Sequence, residues 1–191
     1  SQAGSDVICE QLGAALKDER VKAVVLRVNS PGGSAVASDS IWRAVHRVRE
    51  SGRPVVAQMG AVAASGGYYS SMGCDEIIAL PGTITGSIGV LAGKFVARET
   101  YEKLGLIREG IEGGPHAGML SMDRGFTEQE WDILNTSLDR IYQQFVSKAA
   151  ADRGMEFDQL EGLAKGRVWT GADAHERGLI DHLGGVETAL G

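Results

Sequence analysis

Apolar positions in the first half of the chain switch between helical and strand-like spacing. Val7, Ile8, Leu12, Ala15 and Leu16 recur at helical spacing and predict a helix. Val21–Val28 is then an apolar, β-branched run, which predicts a buried strand stopped by the turn residues Asn29-Ser30-Pro31-Gly32-Gly33. Ile41, Trp42, Val45 and Val48 mark a second helix that should stop near Ser51-Gly52, ahead of Pro54. Pro54–Met59 reads as the next strand, Gly60–Gly67 as a small-residue turn, and Tyr68–Gly73 as a short helix. Glu76–Leu80 and Ser87–Leu91 read as further strands, separated by the turn chemistry of Pro81-Gly82 and Gly86.

Strand, helix and strand in alternation predict an α/β fold with a mostly parallel sheet and helical crossovers. Such sheets bind ligands at the carboxyl ends of their strands. Both glycine-rich turns, 29–34 and 60–67, fall at such ends. In the second half, Thr127-x-x-Glu130 is a capping box. It opens a long amphipathic helix, about 127–151, with Trp131, Leu134, Leu138, Ile141, Tyr142 and Phe145 on one face. The segment about 156–191 reads as helical, with Thr170-x-x-Asp173 opening a short helix that ends at Gly178. Glu109–Gly125 has weak periodicity and reads as a mobile connection near the functional face.

Composition narrows the picture. A length of 191 residues suits one domain, 1–191, large enough to form a core without a disulfide or metal. Nineteen basic against 25 acidic residues, a formal charge of −6, argue against a general nucleic-acid binder. No apolar run reaches the ~18 residues that a membrane helix needs, and no signal-peptide pattern opens the chain. Cys9 and Cys74 have no metal or redox spacing and read as packed thiols. No His, Cys, Asp or Glu cluster has metal-ligand spacing, so neither a metal nor another cofactor is expected. The acid pairs Glu128/Glu130 and Asp18/Glu19 read as solvated helix faces, and His46, His175 and His182 lack an acidic partner at a telling spacing.

Candidate chemistry sits in the two glycine-rich turns. Ala61–Tyr69 places Ser65 at a strand-to-helix turn walled by residues with almost no side chain. Ser65 there is either an N-cap or a nucleophile whose following helix aims free N–H groups at a developing oxyanion. Asn29–Ser34 has the paired glycines of an anion nest, and a nest facing a serine turn is the arrangement that acyl transfer requires. Neither loop matches the phosphate-binding patterns G-x-x-x-x-G-K-[ST] or G-x-G-x-x-G.

Four ordered motifs add a resemblance that covers about residues 5–190. They are Ser30-Pro31-Gly32-Gly33-Ser34, Ala63-Ala64-Ser65-Gly66-Gly67-Tyr68-Tyr69, Thr85-Gly86-Ser87-Ile88-Gly89-Val90 and Val168-Trp169-Thr170-Gly171-x-Asp173-Ala174. Together they resemble the signal peptide peptidase A (protease IV) family of serine peptidases. The resemblance implies a ClpP/crotonase-like spiral of ββα units with flanking helices, and a Ser–Lys dyad that cleaves remnant signal peptides and other hydrophobic peptides near membranes. It implies Ser65 as nucleophile and the N–H groups of Gly33 and Gly66 as the oxyanion hole. Gly32, Ala63 and Ala64 are the expected substrate-contacting residues, the alanines as small groove walls. Homo-oligomers are expected, with no nucleic-acid partner, and membrane association on the extracytoplasmic side for the full-length protein.

One element of the pattern is missing. In single-repeat relatives the lysine lies in a segment resembling S-G-x-H-K-D-x-M-S, about ten residues before a helix-capping Thr. The corresponding stretch here is Gly113–Ser121, and Ala117 stands at the lysine position. Either the lysine comes from a preceding repeat of the same protein or from another subunit, or His116 or Lys94 substitutes locally. A degenerate repeat that only supports assembly is a further reading, and an acyl-CoA hydratase or isomerase of the crotonase type is the alternative enzyme class.

Overall fold

The computed structural model describes residues 4–191. The chain forms two compact units, one from Ser1–Gly89 with Tyr142–Gly191, the other from Val90–Ile141.

The first unit is an α/β structure. Helix α1 (Ser5–Lys17) leads into strand β1 (Val24–Ser30), and helix α2 (Ala35–Glu50) crosses to strand β2 (Val55–Ala64). Helix α3 (Gly66–Met72) follows directly, then β3 (Glu76–Ala79) and β4 (Ile84–Gly86). β1–β2, β2–β3 and β2–β4 are all parallel pairs, as the alternating pattern predicts. The core packs around β2: Val55, Ala57 and Met59 are fully buried, with Val45 and Val48 of α2 and Ile77 of β3 beside them. Each large side chain among them contributes roughly 1.5–3 kcal/mol by leaving water.

β2 runs longer than its sequence suggests. Gly60–Ala64 continue the strand instead of turning, because a second partner takes over. Val56–Gln58 pair with β3, whereas Val62–Ala64 pair with β4. On the other edge the register against β1 slips between Val28 and Ser30, and the Asn29 side chain fills the gap by accepting the Val62 N–H at 3.2 Å. Gly60 leaves room for that side chain: a Cβ would come within 2.9 Å of Asn29 Oδ1, so the asparagine would have to shift.

Two further readings change. The expected strand Ser87–Leu91 is replaced by the shorter β4, which ends at Gly86. Left-handed backbone at Gly86 (φ 74°) and Ser87 (φ 49°) turns the chain away, and the Ser87 N–H donates to Arg167 O at 2.7 Å. Nor is 156–191 wholly helical. After α5 (Glu128–Arg153) and α6 (Phe157–Leu163) come β5 (Val168–Thr170), α7 (Gly171–Glu176), β6 (His182–Leu183) and α8 (Val186–Leu190). β5 closes one edge antiparallel to β4, and β6 adds to β3 in parallel, so tertiary pairing overrides the short local pattern. Thr170 caps α7 by accepting the Asp173 N–H at 3.1 Å, and Gly178 ends that segment at φ 73°.

The residues of α5 within this unit bury Phe145, Val146, Ala149 and Ala150. Two histidines expected to lack acidic partners do have them, supplied from distant sequence. His46 Nε2 lies 3.1 Å from Asp152 Oδ1, and His182 Nε2 lies 3.5 Å from Glu76.

The second unit holds α4 (Arg98–Lys103), a series of turns and the start of α5. The capping box forms: Thr127 Oγ1 accepts the Glu130 N–H at 3.2 Å, and Glu130 accepts the Thr127 N–H at 2.8 Å. Glu130 is therefore buried, not on a solvated face, and Arg124 clamps both its oxygens at 2.6 and 2.7 Å. The Arg124 and Thr127 donors bring its pKa down to about 2. Trp131 of the predicted apolar face remains exposed, as does Ile133 beside it in sequence. Among the described residues, no helix is long and apolar enough to cross a membrane.

Candidate functional site

β2 ends at Ala64 and α3 begins at Gly66, leaving a single residue to make the turn. That residue is Ser65, at φ 51° and ψ −116°. Non-glycine backbone at positive φ is costly, of order 1–3 kcal/mol, and persists only where its surroundings fix it. The surroundings are clear. The Ser65 N–H donates to Gly86 O at 2.9 Å, and its carbonyl accepts the Tyr69 N–H at 2.8 Å. Although Ser65 occupies the N-cap position, its hydroxyl makes no capping hydrogen bond. The N-cap reading therefore does not account for the serine.

The Ser30–Ser34 loop closes over this turn at a distance that only glycine permits. Gly32 has φ 112°, and a Cβ there would lie 2.8 Å from Ser65 Cβ and 2.9 Å from Gly66 N. A Cβ on Gly66 would lie 3.2 Å from Gly33 N, and one on Gly67 only 2.6 Å from Ser30 O. The loop is braced internally by Ser30 Oγ, which accepts the Gly32 N–H at 3.2 Å. Neither the Gly33 nor the Gly66 N–H reaches a backbone acceptor among the described residues. Gly66 opens α3, where a first-turn N–H has no partner within the helix. Two unspent amides thus lie beside one strained serine.

A cleft of about 920 Å³ borders Gly32, Gly33, Gly66 and Gly67 and reaches Leu26, Val28 and Ile41. Ser65 itself does not line it. Ala63 and Ala64 are buried, and both are bonded into the β2–β4 ladder. Their methyl groups pack inside the protein, so they do not form an exposed groove wall; of the three expected contact residues, only Gly32 borders the cleft.

The two local base candidates both belong to the second unit. The Lys94 ammonium donates to Met119 O at 2.7 Å and Ser121 O at 3.0 Å, and lies 4.4 Å from the centre of the Phe126 ring. His116 is exposed in a turn where its carbonyl accepts the Met119 N–H at 3.0 Å. Ala117, at the lysine position, is exposed in the same turn. Among the described residues, no three His, Cys, Asp or Glu side chains converge to hold a metal ion.

Sequence reading missed a polar cluster on the far side of α3. Asp39 of α2 accepts from the Tyr69 hydroxyl at 2.9 Å, from Arg43 at 2.7 Å and from Lys148 of α5. Burial opposes ionisation of Asp39, but these three donors outweigh it and bring its pKa down to about 2. The i, i+4 spacing of Asp39 and Arg43 was visible in the sequence, whereas the contacts 30 and 109 residues away carry no local signal.

Comparison with known proteins places the chain in a family. Residues 47–191 match Peptidase family S49. The whole chain is 44% identical to a protein of Arabidopsis thaliana named "Serine protease SPPA, chloroplastic", of which it covers 29%. It is 37% identical, over 98% of its length, to "Protease 4" of Salmonella typhi, covering 30% of that protein. A 40% identical relative from Synechocystis, "Putative protease slr0021", is matched over 91% of this chain and 62% of its own length. The chain thus spans less than a third of the first two relatives. On this match and these identities, the chain belongs to peptidase family S49, with relatives named serine protease SPPA and protease 4.

Proposed function

We propose that this chain is the serine-bearing half of a Ser–Lys endopeptidase, with residues 1–191 acting as one peptidase domain. Ser65 Oγ attacks a peptide carbonyl, and the N–H groups of Gly33 and Gly66 hold the oxygen that becomes negative. The bond to the leaving amine breaks, giving an acyl-enzyme that water hydrolyses in a second step. The observation that carries this reading is the strained Ser65 turn packed against two amides without backbone acceptors.

The base is a lysine from another repeat of the same protein or from a neighbouring subunit. Three observations support that assignment: Ala117 at the family's lysine position, the local engagement of the Lys94 ammonium, and relatives more than three times as long. The substrates are hydrophobic peptides, remnant signal peptides among them, with Gly32 against the substrate backbone and the part of the cleft at Leu26, Val28 and Ile41 taking a side chain. The curled sheet, with β2 shared between β3 and β4, fits a ClpP/crotonase-like spiral. A membrane-associated oligomer is the setting in which such substrates are met.

A fluorophosphonate probe and a fluorogenic hydrophobic peptide test the reading. The protein carrying its partner repeat should label at Ser65 and turn over, and Ser65→Ala should abolish both. The isolated chain should show little turnover. Robust turnover by the isolated chain, lost in Lys94→Ala or His116→Ala, would refute the external base.

A further inference from the structure

Building on the roles given to Ser65, Gly33 and Gly66, we propose that Asp39 and Tyr69 form a positioning latch that sets the spacing of the two oxyanion-hole amides. The two amides belong to different elements. Gly33 precedes α2, whose N-cap is Ser34, and Gly66 opens α3. Their separation is therefore set by how α2 and α3 are held together near their starts.

The latch lies at that level. Tyr69 is in the first turn of α3, and its N–H closes that turn on the carbonyl of Ser65 itself. Its hydroxyl donates to Asp39 Oδ1 at 2.9 Å, in the early part of α2. Arg43 donates to the other carboxylate oxygen at 2.7 Å, and Lys148 approaches from α5. Lys148 is fixed in turn over the Trp42 ring, 4.1 Å from its centre, and the Tyr69 ring packs 4.6 Å from that of Phe145. One carboxylate with three donors from three helices has one orientation.

The cluster is poorly explained as a stabiliser alone. An apolar contact between α2 and α3 would hold them at least as firmly as a partly exposed ion pair does. What a multiply bonded carboxylate adds is directional geometry. Geometry is what an oxyanion hole needs, since misplacement of about 1 Å can cost ~100-fold in rate.

The test compares Tyr69→Phe, Asp39→Asn, Asp39→Ala and the double variant Tyr69→Phe/Asp39→Ala in the protein carrying its partner repeat. Tyr69→Phe keeps the ring packing and should lower kcat about tenfold, with KM changed less than about twofold, because a shift of a fraction of an ångström acts on the transition state. Asp39→Asn retains an acceptor for the Tyr69 hydroxyl and should keep kcat within about threefold, whereas Asp39→Ala should fall at least as far as Tyr69→Phe. The double variant should be no slower than Asp39→Ala, since both changes break one contact. Circular dichroism at the assay temperature separates this from unfolding, and if Asp39→Ala folds poorly, Tyr69→Phe and Asp39→Asn carry the comparison. Wild-type kcat in Tyr69→Phe, while Ser65→Ala abolishes turnover, would overturn the latch and leave the peptidase standing. A kcat loss that tracks the unfolded fraction would also overturn it. Undiminished turnover in Ser65→Ala would overturn the peptidase reading, and the latch with it.

Discussion

Replacing Gly32 with alanine perturbs the site by the smallest possible amount of matter. The added methyl carbon would sit 2.8 Å from Ser65 Cβ, 2.9 Å from Gly66 N and 3.1 Å from Ala64 O. Two of these are backbone atoms and the third is bonded directly to the backbone, so no flexible tip can swing aside. Reaching ordinary contact at 3.5–4.0 Å requires the loop and the serine turn to separate by roughly half an ångström or more. Alanine also resists φ 112°, at a cost of about 1–2 kcal/mol on top of an overpacking cost of about 1–3 kcal/mol. A loss of about 2–5 kcal/mol corresponds, for a chain of this size, to a fall in Tm of roughly 4–20 °C. Labelling of Ser65 by a fluorophosphonate, with the partner repeat present, should slow by about tenfold or more, because serine and amides move apart. Gly33→Ala is the comparison: at φ 156° it also carries a backbone cost, but its methyl would meet nothing within 4 Å, so its effect on Tm should be smaller by the overpacking share. Equal Tm and equal labelling rates for Gly32→Ala and the parent would refute the close approach of loop and serine.

Three other outcomes follow from the same structure. Tyr68 is fully buried and its hydroxyl donates to Leu179 O at 2.9 Å, so Tyr68→Phe should lower stability by about 1–2 kcal/mol in urea titrations. Asp39 has a folded pKa below its unfolded value, so its contribution is complete above about pH 4 and lost as pH falls towards about 2; urea midpoints from pH 5 to pH 2 should fall less steeply in Asp39→Asn than in the parent. Burial pushes the Cys74 thiol up to about 12, so at pH 8 iodoacetamide should modify the partly exposed Cys9 in the native protein and leave Cys74 intact until denaturant is added, as mass spectrometry would show.

The sequence carried the local parts of this architecture and missed what depends on distant partners. Helices α1, α2 and α5 announced themselves through apolar spacing, and the Thr127/Glu130 and Thr170/Asp173 caps through short polar patterns that form as expected. The far half of β2 has the local pattern of a turn, because Gly60-Ala61 offers little β-propensity; what makes it strand is pairing with β4 and the Asn29 side chain. Likewise β5 and β6, three and two residues long, exist only because β4 and β3 offer them edges. Glu130 looked solvated because its burial depends on Arg124, six residues earlier and outside the helix. At the site, Ser65 and the paired glycines were legible because side chains this small add little to a core, while at a strand end they leave backbone amides accessible. The burial of both the Ala63 and the Ala64 methyl groups was not, since neighbours in a strand face opposite sides and both sides are covered here by distant segments.

The change of neighbour along β2 has a consequence for how this protein can vary. Its front half runs between β1 and β3, and its rear half between β1 and β4, carrying the chain to the hydroxyl five residues beyond Gly60. Because facing alternates residue by residue in extended chain, deleting one residue between Gly60 and Ala64 would invert the strand's far end while leaving its start in register. Such a lesion should take the hydroxyl away from the two amides and loosen the β2–β4 edge, while the core between β1, β2 and β3 stays packed.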